Sequence, residues 1–134
     1  MKKIKKIKIK SYADSSGKLV PFTFNKKFPI KAKRIFFLYG KEKKGRGDHA
    51  HKKCSQLFVP ILGKCILSIK TPNKEKKFLL RHENKIAILT PPKYWCGVKF
   101  LTKNTVLMVV CDKEYNFNDY IEDFNEYKAY LKKI

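Results

Sequence analysis

The stretch Arg46-Gly47-Asp48-His49-Ala50-His51-Lys52, followed by Gln56 and then by Gly63, decides how this chain is read. Side chains two apart on an extended segment point to one face, so the imidazoles of His49 and His51 sit side by side. Such a pair can share one metal ion or work on one substrate. Gln56 supplies an amide where a hard divalent cation favours a carboxylate, so the cluster looks like a metal pocket without its metal. Arg46, Gly47 and Asp48 add polar groups at a strand start, where folds commonly place function. The plainer alternative is a half-buried strand whose histidines are only hydrogen-bonded.

Working outward, 134 residues fit a single domain, 1–134, long enough to bury a core without disulfides or structural metals. The hydrophobic share of 43% is ordinary for a globular protein, but the formal net charge of +21 is not. Six of the eleven acids (Asp112, Glu114, Asp119, Glu122, Asp123, Glu126) lie near the C-terminus, leaving the body still more basic. That balance favours an anionic ligand. The charge is nearly all lysine, arginine occurs only at 34, 46 and 81, and no nucleic-acid-binding signature is present, so nucleic acid is not expected as a partner. Cys54, Cys65, Cys96 and Cys111 form no Cys-x-x-Cys pair and are expected as free thiols in a reducing cytoplasm. No apolar run suits a signal peptide or membrane span, so a cytoplasmic protein with no membrane partner is expected.

Lysines alternating with Ile4, Ile7 and Ile9 predict an edge strand within residues 1–10. Further strands are predicted over 19–24, 34–39, 55–61, 64–71, 77–80, 86–90, 98–101 and 105–111, with Leu62-Gly63 as a hairpin turn. Many short strands separated by turns read as a sandwich or barrel. In the tail, Tyr120, Ile121, Phe124, Tyr127 and Leu131 recur at helical spacing, predicting a helix over 118–133 capped by Asn118 or Asp119.

The spacing from His49-x-His51 through Gln56 to Gly63 is similar to the first cupin motif. Pro91-Pro92-Lys93-Tyr94-Trp95-Cys96 resembles the second, with Cys96 where many cupins carry a histidine. Two histidines and one thiolate suit zinc, but glutamine rarely ligates it, and no metal or other cofactor is expected. Together with Arg34-Ile-Phe-Phe-Leu-Tyr39, Trp95 and the closing Tyr115 through Asp119-Tyr120-Ile121, the ordered set resembles the nucleotide-sugar 3,4-ketoisomerases. These small metal-free cupins act on dTDP-4-oxo-6-deoxyglucose. The resemblance implies an all-β cupin-type jelly roll or barrel with a C-terminal helix, and a homodimer that exchanges N-terminal strands. It also implies a 3-oxo sugar destined for amination to a 3-amino sugar of surface polysaccharide.

Moving a ketone from C4 to C3 requires removal of the C3 proton, an enediol, and reprotonation at C4, steps within reach of an imidazole. His49 and His51 are the candidate base and relay, with His49 the base by resemblance. Tyr39 and Gln56 are candidate donors to the enediolate, and Tyr39 also a proton donor to C4. Arg46 is the candidate pyrophosphate clamp, Arg34 a second phosphate contact, and Trp95 a wall of the sugar or base pocket. A metal-dependent cupin enzyme, a dTDP-sugar epimerase and a non-catalytic sugar-nucleotide binding module are the alternatives.

Overall fold

The structure, a computed structural model describing residues 1–134, contains twelve strands and one α-helix. The strands are β1 (Lys5–Lys8), β2 (Tyr12–Asp14), β3 (Gly17–Leu19), β4 (Arg34–Gly40), β5 (Gly45–His51) and β6 (Gln56–Leu62). They continue as β7 (Lys64–Lys70), β8 (Glu75–Arg81), β9 (Ile86–Thr90), β10 (Trp95–Phe100), β11 (Thr105–Cys111) and β12 (Tyr120–Ile121). The helix α1 spans Phe124–Lys133. Two five-stranded sheets, ordered β1-β9-β6-β11-β4 and β12-β5-β10-β7-β8, face each other without closing into a barrel, and β2 and β3 form a separate hairpin.

Alternation along the strands explains the layering. β7 places Cys65, Leu67 and Ile69 inward, and β11 contributes Leu107, Val109 and Cys111. With Phe58, Leu80, Ile88, Val98 and Phe100 they build the core between the sheets. The opposite face of the first sheet carries Leu57, Val59, Ala87, Met108 and Val110, and residues 20–32 fold over it through Val20, Phe22, Phe28 and Ile30. Pro21 interrupts this segment, so the strand expected over 19–24 ends at Leu19. The Leu62-Gly63 turn joins β6 and β7 as expected. Gly63 adopts φ +74°, and a Cβ there would run into Thr102 and Thr105.

The tail corrects the sequence reading. Residues 118–123 are not helical: Phe117–Asp119 forms a 3₁₀ turn and Tyr120–Ile121 becomes a strand on β5, pairing Tyr120 with His51 and Ile121 with Ala50. The helix begins at Phe124 and is capped by Asp123, whose carboxylate accepts from the Glu126 amide. Strand pairing overrode the helical periodicity because Tyr120 and Ile121 gain opposite burial sites on the two faces of β5. No helix is long and apolar enough to cross a membrane.

β4 and β10 meet at Gly40, where an added Cβ would overlap the Phe100 ring. Gly40→Ala is therefore expected to destabilise the protein by about 1–3 kcal/mol, the usual cost of overpacking, as read by urea unfolding.

Candidate active site

The site opens between the sheets, and a β-bulge aims its side chains. From Cys96↔His49 to Val98↔Arg46, β5 uses one residue more than β10, and Gly47 takes φ +85° at the irregularity. Strict alternation would send Arg46 and His49, three apart, to opposite faces. The extra residue turns both toward one cavity of about 460 Å³, which Arg34, Gln56, Cys96 and Tyr120 also line.

His49 faces this cavity and His51 lies behind it, 4% exposed. Their Nε2 atoms are 3.2 Å apart. His51 Nδ1 is 2.9 Å from Asp119 Oδ2, and the Asp119 carboxylate also accepts from the Lys53 and Cys54 amides at 2.7 and 3.3 Å. A carboxylate accepts, so the neutral His51 carries its proton on Nδ1 and offers Nε2 as acceptor to His49 Nε2–H. This leaves His49 Nδ1 unprotonated. Asp119, His51 and His49 thus form a chain running from an anchored carboxylate to the cavity.

Burial lowers His49 to about 4, with the neighbouring His51 adding to the effect. Burial also lowers His51, opposed by its hydrogen bond to Asp119. Both rings are therefore neutral at pH 7, so each keeps one ring nitrogen unprotonated. Tyr120 packs across the pair, its ring centroid 4.9 Å from His49 and 4.3 Å from His51. Arg34 lies beside Tyr120 and 5.5 Å from the ring centroids of both Phe36 and Tyr115. Its Nε is buried without a hydrogen-bond partner.

The structure brings His49, His51, Arg46, Gln56 and Arg34 together, but not Tyr39 or Trp95. On β4, Arg34, Phe36 and Leu38 face inward, so Tyr39 faces out and is 76% exposed. Trp95 pairs with Ala50, the outward position of β5. Its ring stacks on Phe124 and Tyr127 beneath α1, away from the cavity. Both side chains fail for the same reason, the two-residue alternation of their strands. The phenol beside the histidines is Tyr120, which the sequence reading had placed in the helix along with Asp119.

The residues at the cupin ligand positions do not suit a divalent cation. Gln56 turns its amide nitrogen to Cys111 and brings no charge, and burial pushes the Cys96 thiol up to about 12. His51, Cys54 and Asp119 bring ligand atoms within 4.8 Å of one another, but the His51 and Asp119 atoms are already hydrogen-bonded together.

A buried imidazole pair behind an arginine-lined mouth, on a cupin-like sandwich, has the arrangement of an acid–base site. Residues 2–132 match the family described as FdtA: WxcM-like, C-terminal. The TDP-4-oxo-6-deoxy-alpha-D-glucose-3,4-oxoisomerase of Aneurinibacillus thermoaerophilus is 30% identical over 131 residues, covering 97% of this chain and 94% of that protein. The sugar 3,4-ketoisomerase QdtA from Thermoanaerobacterium thermosaccharolyticum, solved with TDP, superposes with a TM-score of 0.89 at 29% identity, covering 97% of this chain and 95% of that one. A QdtA variant with one histidine replaced by asparagine, solved with TDP-4-keto-6-deoxyglucose, gives 0.89 at 28% identity over 97% and 94% of the chains. The chain belongs to the FdtA, WxcM-like family, and these relatives are sugar 3,4-ketoisomerases.

The depressed His49 has a consequence for stability. The unfolded chain binds a proton near pH 6.5 and the folded chain only near 4, so acid favours unfolding. Stability is full above about pH 6.5 and falls as the pH drops toward 4, by up to about 3 kcal/mol. Urea titrations of wild type and His49→Gln across this window should show that part of the slope vanish in the variant.

Proposed function

We propose that this protein is a TDP-4-oxo-6-deoxyglucose 3,4-ketoisomerase using His49 as base. The observation that carries the reading is the Asp119–His51–His49 chain ending in the His49 ring that lines the cavity. The family membership supplies the substrate class.

His49 removes the proton from C3, and the electron pair flows into the C4 carbonyl to give an enediolate. His49 becomes an imidazolium that can donate through Nε2 to His51, whose other nitrogen rests on Asp119. Buried opposite charges steady the proton where water does not screen them. The C3 hydroxyl then loses its proton, the C4 oxygen gains one, and a proton returns to C4, so the ketone has moved by one carbon with no net change in composition. Tyr120 takes the phenol role expected of Tyr39, and Gln56 and Arg34 supply donors near the developing oxyanion. Arg46 at the mouth suits the pyrophosphate, its planar fork matching phosphate oxygens. The C3 ketone is the carbonyl an aminotransferase requires to build a 3-amino sugar, and surface polysaccharide is the destination in keeping with that product.

We also propose a homodimer with exchanged N-terminal strands. The edge strand suited by sequence to that exchange, β1, pairs here with β9 of its own chain, so the β2–β3 hairpin is the element proposed to cross. The β2–β3 hairpin pairs only with itself and exposes Tyr12 and Leu19, whereas an isolated two-stranded hairpin is marginal in water. Ile35, Phe37 and Tyr39 form an exposed apolar row on the outer face of β4. A second copy covering these surfaces explains both. Light scattering should report a dimer for the full chain and a monomer once residues 1–19 are deleted.

The deciding assay is NMR of TDP-4-oxo-6-deoxyglucose with the protein in heavy water. Migration of the ketone to C3 with deuterium appearing at C4 is expected, whereas deuterium at C5 with the ketone still at C4 indicates an epimerase. His49→Ala should lower turnover by about a hundredfold or more, and Asp119→Asn by about tenfold to a hundredfold with KM little changed. Normal turnover in His49→Ala would end the reading.

A further inference from the structure

The active-site account leaves two buried cysteines without a task. Cys111 closes β11 with no exposed surface, and Cys54, 2% exposed, lies in the connection between β5 and β6. In register, Cys111 faces Arg34 on β4 and Gln56 on β6, so its sulfur lies between two side chains that line the cavity. Arg34 Nη2 approaches the Cys111 sulfur at 3.6 Å and Gln56 Nε2 at 3.7 Å. The Cys54 thiol donates to the Ser55 carbonyl at 3.3 Å and lies beside the Cys111 sulfur.

Two side-chain donors therefore converge on one sulfur atom, with a second thiol beside it. The ion pairs of this structure are His51 with Asp119 and Arg81 with Glu83, so no carboxylate pairs with Arg34. The half-buried guanidinium between Phe36 and Tyr115 thus has no carboxylate partner, and an anionic sulfur beside it would supply the missing charge.

We propose that Cys111 is a thiolate, the counter-ion that positions Arg34 and Gln56 in the cavity. It is a positioning residue rather than a group that touches substrate, and its consequence for binding rests on the isomerase reading above. The neighbouring Cys54 thiol is the largest influence on Cys111; burial opposes it, and Gln56 and Arg34 add to it, bringing the group down to about 6. Cys54 rises correspondingly, with Asp112 reinforcing the rise. The other titratable groups around the cluster are Tyr120, which lies beside Arg34, and His51, which feels the Arg34 charge.

The sign follows directly. Above the folded value the sulfur is charged and holds both donors. As the pH falls through about 6 it takes up a proton and loses its hold on them. Binding of a ligand that uses Arg34 and Gln56 should weaken over the same interval.

The test has two arms. Thiolate ultraviolet absorbance of the native protein should step up with a midpoint near pH 6, disappear in Cys111→Ser and move to higher pH in Cys54→Ala. This arm needs no substrate, so it stands or falls separately from the isomerase reading. In the second arm, calorimetry follows TDP-glucose, in which both phosphates are diesters and do not titrate here. Wild-type affinity should fall on acidification through pH 6, whereas Cys111→Ser should bind about tenfold more weakly at neutral pH and lose that pH dependence. A native protein with no absorbance step below the ordinary thiol range, or a Cys111→Ser protein with wild-type affinity at all pH values, would overturn the proposal. If Cys111→Ser fails to fold, the native and Cys54→Ala titrations still decide it.

Discussion

The pairing of Tyr120–Ile121 with His51–Ala50 is the contact on which the working parts of this molecule depend. Two residues of strand are little structure, yet each face of the pair has a separate consequence. Inward, Tyr120 lies on the imidazoles and the preceding Asp119 reaches His51 Nδ1. Outward, Ile121 joins Ala50, Trp95 and Tyr127, so the helix docks on the back of the same strand that carries the histidines. The Tyr127 hydroxyl donates to the Lys93 carbonyl at 2.7 Å, fastening the helix to the Pro-Pro loop. Packing on one side of β5 thereby fixes a hydrogen-bond chain on the other.

Much of this was legible in the sequence, and the rest failed for identifiable reasons. His-x-His on a strand predicted neighbouring imidazoles because a period of two holds wherever the backbone is extended. Arg46 belonged to the site in the reading, although alternation from His49 would exclude it; only the bulge at Gly47 reconciles the two. Tyr39 and Trp95 were selected by residue type, and type does not say which face of a strand a side chain occupies. Asp119 and Tyr120 were seen but placed on a helix, since their true pairing is with a strand 68 residues away, as the Asp119–His51 contact shows. Local periodicity carries no information about such a partner. Cys111 gave no signal at all, being one apolar-looking position in a buried strand.

The same geometry explains how a cupin-like frame can favour proton transfer over metal ligation. A ligating histidine needs a lone pair directed at the ion, and here the Nε2 atoms of His49 and His51 are directed at each other. Gln56 brings no charge, and the Cys96 thiol stays protonated in its apolar surroundings. Each departure from a ligand set is also a gain for acid–base work: a neutral imidazole, an amide donor, and a small side chain that keeps the cavity open.

Charge selection at the cavity argues in the same direction. Lysine dominates a chain carrying +21, and arginine occurs only three times, yet two of the three arginines line this one cavity. Lysine would serve as well if the surface needed only positive potential. A planar fork is needed where a group must accept fixed partners on one edge and present donors on another. Arg34 meets that description, with Tyr120 and Cys111 on its edges and aromatic rings to either side. Lysines spread over an exterior attract polyanions nonspecifically, whereas the forks of Arg34 and Arg46, lining the same cavity as His49, have the geometry to orient an anionic ligand there.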